Sequence, residues 1–376
     1  MDFNFSETQE MLRKSARDFL AAECPKNLVR NMVEDEKGYS PELWRKMADL
    51  GWMGLVFPER YGGEGGDFLD LVVLLEEMGR ACLPGPFFST TVSGLSLIEA
   101  GSEQQKQELL PRLAGGEMII TLALNEAQTR YDPSLIALKA VSEEDAFVIN
   151  GVKLFVPDAH VADVMVCVAR TRDGTTPEDG LTLFLVDAKS SGASHTLLKT
   201  IGGDKQCEVV FNNVRVPKEN LLGELHKGWA PLESILQKAA IAKCAEIIGG
   251  AQQVLEMTTQ YAKERIQFGR PIGSFQAIQH HCVNMLIDVH TARFITYKVA
   301  WMLSEGIPCR KQVAVAKAWV SEAYRRVTAL GQQVIGGIAF VEDHDLPLYF
   351  KRAKAAELAF GDAEFHREVV AQEIGL

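Results

Sequence analysis

Apolar positions change their spacing twice along this chain, and the two changes divide it into three parts. From about residue 6 to 118 they recur at helical intervals: Met11, Leu12, Ala16, Phe19 and Leu20 share one face of a 3.6-residue repeat. Ser6-Glu7-Thr8-Gln9 opens that run as a capping box does, with Ser6 at the N-cap and Gln9 three positions on. The pattern breaks at Tyr61-Gly62-Gly63-Glu64-Gly65-Gly66, where four glycines dictate a loop. It resumes over residues 68–82 through Leu69, Leu71, Val72, Leu75 and Met78. Pro84 and Pro86 interrupt it, and a further helix is predicted from Val92 to Ala100.

Near residue 119 the helical period gives way to short apolar runs at 118–124, 146–156, 164–169, 181–186 and 207–211. Gly, Asp, Asn and Pro separate them, and Asn212-Asn213 reads as a turn, so a small barrel or sandwich is predicted. From about Trp229 to Ala371 helical spacing returns, with three long amphipathic stretches, 236–260, 276–304 and 312–334, long enough to pack as an antiparallel bundle. The predicted fold is α+β and mostly α. It has an N-terminal helical domain over 1–118, a central small β-barrel or sandwich over 119–226, and a C-terminal four-helix-bundle-type domain over 227–376.

A chain of 376 residues, 47% hydrophobic and 24% charged, can bury a large core. Its net charge of −11, with no basic tract, argues against nucleic acid as a partner but leaves room for a local basic pocket. No apolar run is long enough to span a bilayer. The opening Met1-Asp2-Phe3-Asn4 is acidic and polar, unlike a signal or transit peptide, so no membrane association is expected and the cytoplasm is the expected location. The seven cysteines form no CxxC pair and read as reduced packing residues. The eight histidines form no metal-ligand pattern, and His280 and His281, adjacent on a predicted helix, point to different faces. No metal is expected.

The segment from Arg265 to His281 carries the clearest chemistry. Arg265 offers a planar fork for bidentate phosphate contact. Gln267 adds an amide donor and Phe268 a flat apolar surface, while Gly336 and Gly337 leave the backbone open to close approach. Arg265-Ile266-Gln267-Phe268-Gly269 with this context resembles the flavin-binding signature of acyl-CoA dehydrogenases. The resemblance extends over almost the whole chain. It includes Leu50-Gly51-Trp52-Met53-Gly54 with Pro58-Glu59-Arg60-Tyr61-Gly62-Gly63, then Gln104 through Pro111, Asn150-Gly151-Val152-Lys153, Val214-Arg215-Val216-Pro217, and Gln333 with Gly336-Gly337.

That resemblance implies FAD as cofactor, held by Arg265, Gln267, Phe268, Gln276, Gln333, Gly336 and Gly337, with Asn125 and Phe155 at the flavin ring. It implies an acyl-CoA thioester as substrate, an electron-transfer flavoprotein as acceptor, and a homotetramer or heterotetramer in which a neighbouring subunit completes the site. The chain also departs from the family pattern. Asn125-Glu126-Ala127-Gln128 stands where relatives carry a Thr-Glu-Pro-Gly-like stretch. Phe155 and Pro157 stand where relatives place a Trp and a Thr, and Pro157 has neither hydroxyl nor N–H to offer the flavin.

The larger departure is the base that must take the substrate's α-proton. The family's usual Glu precedes a Gly near the C-terminus, and Ala359-Phe360-Gly361-Asp362 puts Phe360 there. A second family location matches Ala239 or Ala240. Three explanations stay open. Asp362, or else Glu126 or Asp132, serves as the base; a partner chain supplies it; or the chain is catalytically silent. Residues 129–132 and 349–362 resemble the smaller subunits of two-component acyl-CoA dehydrogenases, which act on dicarboxyl-, steroid-side-chain- or ring-containing acyl-CoAs. The expected function is therefore FAD-dependent oxidation of a cyclic, branched or dicarboxylic acyl-CoA to its unsaturated thioester. The alternatives are a non-catalytic or FAD-completing subunit, and a flavin oxidase or monooxygenase on the same fold.

Overall fold

A computed structural model describes residues 5–129, 131–132, 135–174, 176 and 178–376. Met1 to Asn4, on which the leader reading rests, and Arg130, in the altered stretch after Asn125, lie outside the described residues. The N-terminal helices are α1 (Glu7–Glu23), α2 (Lys26–Glu34), α3 (Pro41–Asp49), α4 (Phe68–Ala81), α5 (Phe87–Ala100) and α6 (Glu103–Ala114). The capping box at Ser6 forms: its hydroxyl accepts the Gln9 N–H, and the Gln9 side chain accepts the Ser6 N–H, both at 3.1 Å. α5 starts at Phe87 rather than Val92, because Pro86 sits at the N-cap, where its missing N–H costs no helical hydrogen bond.

The central strands are β1 (Ile120–Ala123), β2 (Lys139–Ser142), β3 (Ala146–Pro157), β4 (Val164–Arg170), β5 (Leu181–Asp187), β6 (Ala193–Leu198), β7 (Gln206–Pro217) and β8 (Leu221–Leu222). They form one mixed sheet in the order β6-β7-β3-β2-β4-β5-β8, with β1 parallel to β4. Asn212-Asn213 does not reverse the chain. β7 runs through it because β3 continues alongside, and the irregularity is absorbed as a register shift opposite Ile149 and Gly151. Asn213 adopts a left-handed φ of 53° there, and its N–H donates to the Asn150 side chain.

The C-terminal helices are α7 (Trp229–Glu264), α8 (Gln276–Ser304), α9 (Arg310–Ile335), α10 (Leu346–Leu358) and α11 (Ala363–Glu373), with a tight hairpin of β9 (Ile266–Gln267) and β10 (Arg270–Pro271) between α7 and α8. α4 lies directly on α7. A Cβ at Gly249 would stand 1.7 Å from the Glu76 carbonyl oxygen, and one at Gly79 would stand 2.0 Å from the Glu246 carbonyl oxygen, so the two helices touch backbone to backbone. One apolar core consequently runs through both helical regions, joining Leu71, Leu75 and Met78 of α4 to Ile241 and Ile248 of α7 and Val320 of α9. A second core, with Phe147, Ile149, Phe184 and Phe211, lies within the β-domain. The seven cysteines are free, all but Cys282 buried. No helix among the described residues is long and apolar enough to cross a membrane.

Candidate functional site

β3 breaks register where the sequence analysis placed the flavin-facing residues. Its pairing with β7 steps from Lys153–Val209 to Val156–Cys207, leaving a bulge at Leu154 and Phe155. Phe155 takes a φ of 51° and is 57% exposed. A buried ion pair holds the bulge from behind. The fully buried Lys153 donates to the Glu126 carboxylate at 2.7 Å and to the Leu124 carbonyl at 2.9 Å. Burial, acting first, lowers the Lys153 pKa. Glu126 also accepts the N–H groups of Ala137 and Leu138. The Leu154 N–H donates to the Asn125 carbonyl, which ties Asn125 beside Phe155. Glu126 is therefore committed to the fold.

The hairpin after α7 presents a second group. Phe268 stands 91% exposed at a φ of 54°, its ring edge-on to Phe275 at 6.0 Å. Arg265 and Gln267 beside it, and Gln276 at the start of α8, are exposed. Among the described residues no carboxylate pairs with the Arg265 guanidinium. A third group closes α9: Gln333 is exposed, and a Cβ on Gly336 (φ 77°) or Gly337 would meet nothing within 4 Å. An uncompensated guanidinium, two bare aromatic faces and an open glycine pair fit a cofactor with an anionic pyrophosphate and a flat ring system. Among the described residues, eight non-glycine residues hold positive φ, and Phe155, Asp158, Phe268 and Phe360 are four of them. Such strain in bulky side chains concentrates where function requires it.

Phe360 sits in a turn between α10 and α11, at φ 57° before Gly361 at φ 97°. Two buried side chains grip that turn. Lys317 of α9 donates to the carbonyls of Gly361 (2.9 Å), Glu357 (3.1 Å) and Ala356 (3.2 Å) and to the Ser321 hydroxyl (2.9 Å). Burial lowers its pKa to about 8. His366 donates from Nε2 to the Phe360 carbonyl at 2.9 Å, while its Nδ1 is buried without a partner and burial lowers its pKa to about 4. The Phe360 ring packs on Phe88 of α5, with centroids 5.8 Å apart, and the Lys243 ammonium lies 3.7 Å from the Phe88 ring centre. Lys243 also pairs with Glu246 one turn along α7. Asp362 caps α11, its carboxylate accepting the Phe365 N–H at 2.9 Å. Asp132 is exposed, and Ala239 and Ala240 are buried in the helical core.

Three models of the acyl-CoA dehydrogenase family match in succession: the N-terminal domain over residues 6–117, the middle domain over 121–214 and the C-terminal domain over 226–375. The probable acyl-CoA dehydrogenase YngJ of Bacillus subtilis is 33% identical, with all of both chains covered. The chain belongs to the acyl-CoA dehydrogenase family. Another relative, the caffeyl-CoA reductase-Etf complex subunit CarC of Acetobacterium woodii, is 29% identical over 97% of this chain and 98% of its own. The ChsE4-ChsE5 complex of Mycobacterium tuberculosis has a chain with the same fold, at a TM-score of 0.91 and 28% identity, covering 100% of this chain and 99% of that one.

As an acyl-CoA dehydrogenase family member the chain is an FAD-dependent oxidoreductase that acts on acyl-CoA thioesters at a CH–CH bond. Motif reading named the residues of the Phe155 bulge, of the β9–β10 hairpin and of the end of α9. It missed four buried polar side chains, Ser89, Asp158, Lys317 and His366, and the partly buried Lys243. A signal existed for two of them, since Lys243 interrupts the apolar run 239–245 and Lys317 the run 313–320, where a solvated lysine has no place. Among the described residues no group of His, Cys, Asp and Glu side chains is arranged to hold a metal ion.

Proposed function

We propose that this acyl-CoA dehydrogenase oxidises the Cα–Cβ bond of a cyclic, branched or dicarboxylic acyl-CoA and delivers the electrons to an electron-transfer flavoprotein, working in the cytoplasm. The observation that carries the substrate class is the Phe360 turn. Its scaffold is tightly held, yet it presents an aromatic ring against Phe88, with the Lys243 ammonium on the same ring. An aromatic wall with a cation beside it suits a ring or a distal anionic group better than a plain alkyl chain. Support for the acceptor comes from CarC, whose name joins it to an Etf complex.

Arg265, Gln267, Phe268, Gln276, Gln333, Gly336 and Gly337 would hold FAD, with Asn125 and Phe155 at its ring. When bound, FAD supplies a two-electron acceptor for the β-hydrogen. The protein's part is to orient the thioester and receive its α-proton. Pro157 offers no hydrogen to the flavin edge, so tuning there falls to Asn125. Apolar side chains left bare on α8 (Leu286, Ile287, Phe294, Trp301) and α9 (Val315, Trp319) support assembly into a homotetramer or heterotetramer.

A second reading, a subunit that only completes FAD binding for a partner, is favoured by the same Phe360 and by the two-chain ChsE4-ChsE5 neighbour. Anaerobic visible spectra of the purified chain separate the two. The expected result is a bound flavin band that a ring-containing, branched or dicarboxylic acyl-CoA bleaches faster than butyryl- or palmitoyl-CoA. Bleaching by the straight chains alone rejects the substrate class. Absence of flavin from the isolated chain moves the assignment to the subunit reading. Oxygen uptake matching turnover moves it to an oxidase.

A further inference from the structure

Two lysines are fully buried among the described residues, Lys153 and Lys317. Lys153 has the Glu126 carboxylate against it. Lys317 donates to no carboxylate among the described residues. Glu357, whose carbonyl takes one of its hydrogens, turns its carboxylate to Lys354. What Lys317 holds is backbone. Its ammonium reaches from α9 to the carbonyls of Ala356 and Glu357, in the last turn of α10 where the helix supplies no partner, and to that of Gly361 in the turn beyond. The Ser321 hydroxyl, one turn along α9, is its fourth contact.

The turn it grips is strained. Phe360 takes a left-handed φ of 57°, a conformation that favours glycine or asparagine after a helix, and Gly361 follows at 97°. A Cβ on Gly361 would stand 2.5 Å from the Phe365 ring and 2.7 Å from His366 Nε2, so that position has to be glycine. His366 donates to the Phe360 carbonyl and Lys317 to the next one, and two successive carbonyls are thereby fixed by buried side chains. Fixing both fixes the direction of the Phe360 side chain, whose ring lies against Phe88. A bulky residue kept at positive φ by two buried donors is held for where its side chain points. We propose that Lys317 is a positioning residue for the reaction: its grip on the turn keeps the Phe360 ring in place as a wall of the acyl site. This rests on the dehydrogenase reading above, in which that turn borders the acyl group.

The grip depends on a proton. The ammonium has one hydrogen for each of its three carbonyls; the neutral amine has two, so at least one buried carbonyl loses its donor. Burial chiefly, and after it Lys243 of α7, lower the Lys317 pKa to about 8, against Cys244 of α7, Glu357 of α10 and Asp362 of the turn. His366 of α11 also faces Lys317 and stays neutral near pH 7, its own pKa lowered to about 4. Between those two values Lys317 is charged, His366 is uncharged, and both carbonyls of the turn are held. As pH rises through about 8 the hold on the turn weakens.

The test has two readouts. One is the limiting rate of anaerobic flavin bleaching in the FAD-loaded protein, with whichever of 3-phenylpropionyl-, glutaryl-, isobutyryl- or butyryl-CoA acts fastest, followed from neutral to mildly alkaline pH. The other is the ¹⁹F resonance of 4-fluorophenylalanine placed at position 360, which reports the ring itself and needs no turnover. In the wild type the rate should fall, and the resonance shift or broaden, as pH passes about 8. Lys317→Met should lower the limiting rate about 10- to 100-fold, change the half-saturating thioester concentration less, and show the displaced resonance already at neutral pH with the flavin band retained. Ser321→Ala, which removes an acceptor of the ammonium, should move both transitions to lower pH. Bleaching at the wild-type rate in a folded Lys317→Met, or a resonance that it leaves unmoved, overturns the proposal. Should Lys317→Met fail to fold or lose its flavin, transitions that are missing from the wild type or unmoved in Ser321→Ala overturn it instead. A wild type that no thioester bleaches refutes the dehydrogenase reading, and the proposal with it; bleaching that Lys317→Met leaves intact refutes the positioning role alone.

Discussion

Buried charges need acceptors or counter-ions, and Lys153 and Lys317 obtain them differently. Lys153 faces a carboxylate; Lys317 faces carbonyls at the C-terminal end of α10, where a cation is favoured. Lys153→Met leaves Glu126 buried with only two N–H donors, so a loss of about 3–5 kcal/mol is expected in urea unfolding, together with weaker flavin retention as Asn125 and Phe155 loosen. His366 carries a pH signature. Its folded pKa of about 4 lies below the ordinary 6.5, so the unfolded chain binds a proton that the folded chain refuses. Stability is full above pH 6.5 and falls as pH drops toward 4, by up to about 3 kcal/mol. In His366→Leu that part of the acid slope should vanish, which thermal melts at pH 7, 5.5 and 4.5 would reveal. Exposed, motif-bearing residues such as Arg265 and Phe268 were legible from sequence because their spacing is local. The buried contact of Asp158 with Ser89 was not, since the two lie 69 positions apart.

Helices and strands were legible to different degrees. The span of α8 follows from its apolar period alone, and that of α4 nearly so. β2 and β6 escaped because most of their side chains are exposed and no alternation marks them. β6 exists because β7 offers it an edge. α10 and α11 fall within the stretch read as helical to Ala371, but without a sustained apolar stripe their separate bounds were not legible. The contact of α4 with α7 depends on two glycines that a sequence alone reads as helix weakeners. Gly249→Ala puts a methyl group into the Glu76 carbonyl and must separate the helices. A loss of about 1–3 kcal/mol or more is expected in chemical denaturation, and Lys243 and Glu246, on the same helix, should shift with it and slow flavin bleaching.

On the scale of the whole molecule, the sequence reading of helices flanking a β-domain agrees with the architecture. What it could not supply is how the helical parts share a core, because contacts between residues so far apart leave no local period. The bare apolar side chains of α8 and α9 belong to this scale too. Phe294, 62% exposed, offers a direct check: Phe294→Glu should leave the monomer folded by circular dichroism and reduce the assembled mass in light scattering. Retention of the full mass would remove that face from the interface. The core shared by α4 and α7 also has a consequence for synthesis. Leu71 and Met78 leave the ribosome long before Ile241, Ile248 and Val320 exist to cover them. The β-domain has an inner core of its own and a second one shared with α5 and α6, so these are free to fold first, while the face of α4 that meets α7 waits bare for more than a hundred residues of translation. A nascent chain stalled after β8 should therefore show a protease-resistant centre and a sensitive α4, and that helix is where a chaperone would be needed.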